Sequence, residues 1–233
     1  GVQINSILAF TPAENYAGNS SFTISLKTSD GEVSRTTEPF PPNGIKLNVK
    51  PVADAPILEA VPEGADKAAL LVDDGLEDQP DGISLSGLVK ATSTGGDTVG
   101  TFLVYLTRPS DDDAPSLQEY LKTRGLIEVD EETDTITPRL KLVDGQGNDI
   151  GTFMAEGANE FKFAVMTNNG ENETFDANIV FPKNFATGDS DGQHDPVMIE
   201  VSAVSLGDGG TRAEVDPADR SKISIKVEAE ADG

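Results

Sequence analysis

Apolar and polar residues alternate with a period of two through much of this chain, the spacing that sets one face of an extended strand against a core and the other in water. The alternation is clean over residues 22–26 and 45–49, and strand-like runs recur at 70–72, 83–89, 136–143, 161–166, 175–181, 197–204 and 223–227. Phe102-Leu103-Val104-Tyr105-Leu106 is the most strongly apolar strand. Gly, Asp, Asn and Pro break the runs apart, and Ser29-Asp30-Gly31-Glu32 is a plain turn signal. The pattern predicts an all-β protein built as an antiparallel sandwich, with about eight or nine strands after residue 56.

One stretch departs from the period of two. In Asp113-Ala114-Pro115-Ser116-Leu117-Gln118-Glu119-Tyr120-Leu121-Lys122-Thr123-Arg124-Gly125, Leu117, Tyr120 and Leu121 fall on one helical face. Asp113 suits an N-cap, Pro115 the first turn, Lys122 and Arg124 the negative end of the dipole, and Gly125 the stop. The segment near 113–125 reads as one short helical insertion in a β domain. An ordinary sandwich needs about a hundred residues, so the stretch from 56 onward holds added material, and added material on a scaffold is where binding surfaces arise.

Charge divides the chain at Val49-Lys50-Pro51-Val52-Ala53-Asp54-Ala55-Pro56. Residues 1–55 carry four basic and five acidic residues, whereas 56–233 carry 13 basic and 36 acidic. Pro51 and Pro56 fix φ at both ends and disfavour helix in the residues before them, so the segment reads as a stiff extended connector with the carboxylate of Asp54 at its middle. Two domains follow, 1–55 and 56–233. The first holds only three or four strands, too few for a closed sandwich, and reads as an incomplete or split domain with an apolar face left wet.

A net charge of −24 excludes nucleic acid and anionic membranes as partners, since both demand Lys and Arg. Without cysteine there are no disulfides and no thiolate chemistry. No apolar run reaches membrane-spanning length, and Gly1-Val2-Gln3 does not open a signal peptide, so the chain reads as a piece of something longer. His194 is the one histidine and sits in an acidic loop, which leaves no nucleophile–base pair and no catalytic residue to name. The aromatic platform that usually grips a sugar is thin, with no Trp and three Tyr.

Phe10-Thr11-Pro12-Ala13-Glu14-Asn15-Tyr16-Ala17-Gly18, the strand after it, Asp30-Gly31 and the closing Val49-Lys50-Pro51-Val52-Ala53-Asp54-Ala55-Pro56 resemble the second half of a bacterial cadherin-like, immunoglobulin-like repeat. Such repeats occur in the giant RTX adhesins that Gram-negative bacteria export by type I secretion. The resemblance covers about a quarter of the chain, and Ala53 departs from it where the family's linker usually has Asn. It implies an extracellular, cell-surface location, neighbouring domains of the same adhesin as partners, and Ca²⁺ held at the joints. An extended linker aiming carboxylates and carbonyls at one point is also what Ca²⁺ asks of a protein, with six to eight oxygens at about 2.3–2.6 Å.

Asp54 and Glu77, followed by Glu14 and Asp30, are the candidate calcium ligands at the joint; Asp30 reads equally as an Asp-Gly turn and Glu77 as part of a solvated acidic loop. A second candidate is Asp189-Ser190-Asp191-Gly192-Gln193-His194-Asp195, where Asp189, Asp191 and Asp195 surround a glycine turn, against the reading of a solvated hairpin loop. Asp144-Gly145-Gln146-Gly147-Asn148-Asp149 is weaker and suits a β-turn. The function expected is a calcium-rigidified adhesion module that positions or contains a ligand-binding surface for a host or surface glycan or peptide. A plain spacer and a peptide- or carbohydrate-binding domain are the alternatives.

Overall fold

The computed structural model describes residues 9–13, 16–62, 64–76, 78–108, 116–187 and 196–229. The chain divides into two compact units, residues 1–52 and 53–233. In the first lie β1 (Gly18–Ile24), β2 (Lys27–Asp30), β3 (Val33–Thr36) and β4 (Phe40–Val49). β1 pairs antiparallel with β4, Phe22 opposite Ile45, and β2 with β3. Asp30 stands opposite Val33, so Gly31 and Glu32 form a two-residue loop, and Gly31 takes the positive φ of 58° that a type II′ hairpin asks of its first central residue. None of this unit's described residues is buried; Val33 and Phe40 remain 62% and 72% exposed. Large apolar side chains of both two-stranded sheets thus stay in solvent.

The second unit opens with β5 (Ile57–Ala60) and β6 (Leu70–Leu76), then β7 (Ile83–Ser84), β8 (Val89–Thr92) and the long β9 (Thr98–Thr107). Helix α1 (Leu117–Thr123) and the hairpin β10 (Ile127–Asp130) with β11 (Thr135–Pro138) follow. The chain closes through β12 (Lys141–Val143), β13 (Gly151–Ala155), β14 (Phe161–Met166), β15 (Asn172–Thr174), β16 (Asn178–Val180), β17 (Val197–Leu206), β18 (Arg212–Glu214) and β19 (Ser221–Glu228).

These strands make an all-β sandwich. One sheet runs in the order β13-β14-β9-β17-β19-β6, with β18 added to β17. The other layer is β5-β8-β15 and β7-β16-β12. Leu85 N–H to Ala177 C=O (2.9 Å), Gly87 N–H to Phe175 C=O (3.0 Å) and Phe175 N–H to Val89 C=O (2.8 Å) carry the hydrogen bonding from one half of that layer into the other. Every described ladder is antiparallel except that of β6 with β19, which is parallel.

Period-two burial builds the core. Phe102, Val104 and Leu106 on β9, Phe161, Phe163 and Val165 on β14, Ile199, Val201 and Ala203 on β17, and Ile223, Ile225 and Val227 on β19 join Leu58, Val89, Leu142, Phe175 and Ile179 of the other layer in one cluster. Phe102 and Phe175 meet edge to face, ring centroids 5.3 Å apart, a geometry that adds to their area burial.

The sequence reading needs several corrections. Fifteen strands, not eight or nine, follow residue 56 among the described residues, because most of the added ones are short pieces of three to five residues between turns. The run 83–89 is two strands, β7 and β8, separated by the turn through Leu85–Leu88. The run 175–181 is interrupted, because Phe175 and Ala177 dive into the core between β15 and β16. The run 136–143 is two strands, β11 and β12, separated at Arg139–Leu140. The helix starts at Leu117 with Ser116 as N-cap, its hydroxyl accepting from the N–H of Glu119 at 3.2 Å; Asp113 and Pro115 lie outside the described residues. Its predicted face holds, with Leu117 and Leu121 buried, and Gly125 leaves it at φ 69°.

Candidate functional site

The joint is fixed from the side of the second unit. Ala53 is buried, its Cα close beside Gly207, where a Cβ would come within 3.2 Å of it. The backbone N–H of Asp54 donates to Asp97 Oδ2 at 2.8 Å, and the Ser205 hydroxyl donates to the carbonyl of Asp54. Ser93 Oγ in turn donates to the Asp97 carbonyl at 2.6 Å, so the turn before β9 is itself tied down. Both backbone polar groups of Asp54 thus have partners while the residue stays exposed. Ala53 is the reason the connector can sit this deep, since its small side chain is the one that enters.

No sequence motif marks Asp97 or Ser205. Asp97 follows Thr94-Gly95-Gly96 and looks like a turn residue, and Ser205 sits just past a register shift in the β17–β9 ladder, opposite Val99. Asp30 is the last residue of β2, paired with Val33 and flanking the two-residue loop of the β2–β3 hairpin. Glu14, Glu77, Asp189, Asp191 and Asp195 lie outside the described residues. Among the described residues no three Asp, Glu, His or Cys side chains gather as a metal site. Asp144 closes its own loop: its Oδ1 accepts from the N–H groups of Gln146 and Asn148 at 2.9 Å each, and its Oδ2 from the Asn148 amide at 2.9 Å. Those bonds, the Asn148 side chain first, hold the Asp144 carboxyl below its ordinary pKa.

The outer face of the large sheet carries a second constellation. Lys162, Tyr105, Glu200 and Lys222 stand directly opposite one another across β14, β9, β17 and β19. Tyr105 donates to Glu214 Oε1 at 2.8 Å, an oxygen that also accepts from Ser202 Oγ and Arg220 Nη2 at 3.0 Å each. The Arg220 guanidinium lies 3.7 Å from the Tyr105 ring centroid and its Nη1 is 3.6 Å from Glu200 Oε2. Burial, then the hydrogen bond to Glu214, pushes the Tyr105 phenol up to about 12. Burial opposes the charge on Lys162, but the carboxylates of Glu160 and Glu156 at 2.5 and 2.9 Å outweigh it and hold the ammonium above its usual range. These charges pair across the sheet, with the buried Arg220 Nε left without a hydrogen-bond partner among the described residues.

A depression of ≈390 Å³ opens where the inserted segment meets the end of β13. Gln118 of α1, Val129 and Ile136 of the β10–β11 hairpin, Asp134 in its turn, and Ala155, Gly157 and Ala158 line it. Gln118 N–H donates to the Ala158 carbonyl at 3.1 Å, which ties the helix to the β13–β14 turn. Neither the Gln118 amide nor the Asp134 carboxylate has a side-chain hydrogen bond or ion pair among the described residues. No described helix is long and apolar enough to cross a membrane.

No protein-family model matches the chain, and no curated protein matches it.

Proposed function

We propose that this chain is an extracellular calcium-binding adhesion module of a large bacterial surface adhesin, stiffened by Ca²⁺ at the joint and containing a ligand-binding surface in its second unit. The observation that carries the reading is the anchorage of Ala53 and Asp54 within the second unit, where two backbone hydrogen bonds and a buried side chain hold the backbone of Asp54 against the Asp97 carboxylate. Asp54 and Asp97 offer hard carboxylate oxygens next to an extended backbone, the donor chemistry Ca²⁺ takes, and Glu77 and Glu14 are the further acids that the sequence points to. Bound there, Ca²⁺ would supply charge neutralisation in a chain of net charge −24 and a cross-link between segments. The inserted segment, with its depression, is the part of the sandwich that a simple spacer does not require.

Thermal unfolding in the presence of Ca²⁺ and of EDTA tests this. A ligand that binds only the folded state at 100 times its Kd adds about 2.7 kcal/mol, so chelation lowers the melting temperature by several degrees, and Asp54→Asn with Asp97→Asn shrinks that difference. A melting curve unchanged by EDTA overturns the reading.

A further inference from the structure

β13 is an end strand of the larger sheet, and no described strand pairs with its outer edge. Glu156 N–H donates to the Glu160 carbonyl at 2.8 Å, and the register continues as Met154 opposite Lys162 and Thr152 opposite Ala164. In an antiparallel ladder alternate residues exchange hydrogen bonds, so these even-numbered residues bond to β14 while the N–H and C=O groups of Phe153 and Ala155 point outward. Among the described residues nothing bonds to them. The opposite end of the same sheet is guarded: β6 carries a bulge against β19 and the exposed Asp73 within it. Gly151-Thr152-Phe153-Met154-Ala155 has neither charge nor proline, and its ladder with β14 runs without a bulge. Edges lacking all of these devices pair with other strands.

We propose that this edge and the depression beside it form a docking site for an extended, basic peptide. The outward groups of Phe153 and Ala155 call for a backbone in strand conformation, the only partner that offers donor and acceptor at that repeat. At the Ala155 end the small residues Ala155, Gly157 and Ala158 leave room, and a Cβ placed on Gly157 meets nothing within 4 Å. Val129 and Ile136 give an aliphatic wall for the stem of a lysine or arginine, and the Asp134 carboxylate meets its cation with the Gln118 amide alongside. A second copy of the chain is a poor occupant, because it brings another −24 of charge and a β13 with no basic residue. The proposal deepens the reading of the second unit as a binding module, but it does not depend on calcium, so the melting test and the test below fail separately.

The probe is a short capped peptide of alternating valine and lysine, titrated into the whole chain and followed by backbone amide shifts, with a valine–glutamate peptide and an N-methylated valine–lysine peptide as comparisons. Binding shifts the amides of Phe153 and Ala155. The valine–glutamate and N-methylated peptides bind at least about tenfold more weakly, and Asp134→Asn weakens the lysine peptide about three- to tenfold while flattening its salt dependence. Ala155→Pro blocks binding while leaving the melting curve in place, because the lost N–H belongs to no ladder bond. Equal binding of the N-methylated peptide, which needs no variant to fold, overturns the proposal. So does binding that ignores Asp134→Asn, absence of binding, or self-association of the chain that Ala155→Pro abolishes.

Discussion

Tyr105 is held on the outer face of the central sheet by charge, not by apolar cover. Its ring lies under Arg220 and its hydroxyl is committed to Glu214, whose Oε1 gathers three donors. The folded phenol has its pKa raised from 10.0 to about 12. A raised folded pKa means that this contribution to stability is whole below pH 10, where both states are protonated. It is lost as pH rises from about 10 to about 12, because the unfolded chain releases its proton first. Tyr105→Phe is expected to remove the tyrosinate absorbance step centred near pH 12 and to flatten the fall in melting temperature over that window. At neutral pH the same substitution costs about 1 kcal/mol in denaturant unfolding, the net worth of one hydrogen bond. From the sequence Tyr105 was legible only as part of an apolar strand, since Glu214 and Arg220 come more than a hundred residues later and reach it only through sheet pairing.

At the scale of elements, the β6–β19 ladder depends on one glycine. Val72 stands opposite Ile225 and Gly75 opposite Val227, so two residues bulge out against one. A Cβ on Gly75 would come within 2.7 Å of the Lys226 carbonyl and would drive into the side chain of Ile83. Gly75→Ala is therefore expected to cost about 1–3 kcal/mol through overpacking, read as a lower urea midpoint with an unchanged slope. The stretch around Asp73-Asp74-Gly75 reads from sequence as the acidic loop after a three-residue strand. The strand runs on to Leu76 because a partner far along the chain, invisible to local pattern, lies beside it. Helix α1 was far more legible, as its face, its last-turn Lys122 and its stop at Gly125 are all local features; only its first turn shifted.

For the molecule as a whole, the two units differ in kind. The second buries Phe102, Phe161 and Phe175 fully between its layers, whereas no described residue of the first is buried. Cooperative unfolding then belongs to residues 53–233, whose contacts with Ala53 and Asp54 come from within. In EDTA, a chain beginning at Ala53 is expected to melt within about 2 °C of the whole, the shift left by a change of a few tenths of a kcal/mol in a domain of this size. A much larger drop in calorimetry would show that the first unit shares the core's cooperativity.

Side-chain period and local turn chemistry were enough to mark the longer core strands, the single helix, the composition boundary near residue 55 and the strongly acidic character, but not short strands such as β5, β10, β13, β15 and β18. The sequence also marked Asp54, whose flanking prolines are neighbours in the chain. Only the folded chain shows which strands share a sheet, that β6 runs parallel to β19, that Asp97 and Ser205 grip Asp54, and that no described strand follows β13 at the end of its sheet. The grip on Asp54 joins residues 43 and 151 positions apart, and the β6–β19 ladder pairs Leu70 with Ile223. Pairing at such separations is selected by burial of the whole core, and no window of the sequence contains it.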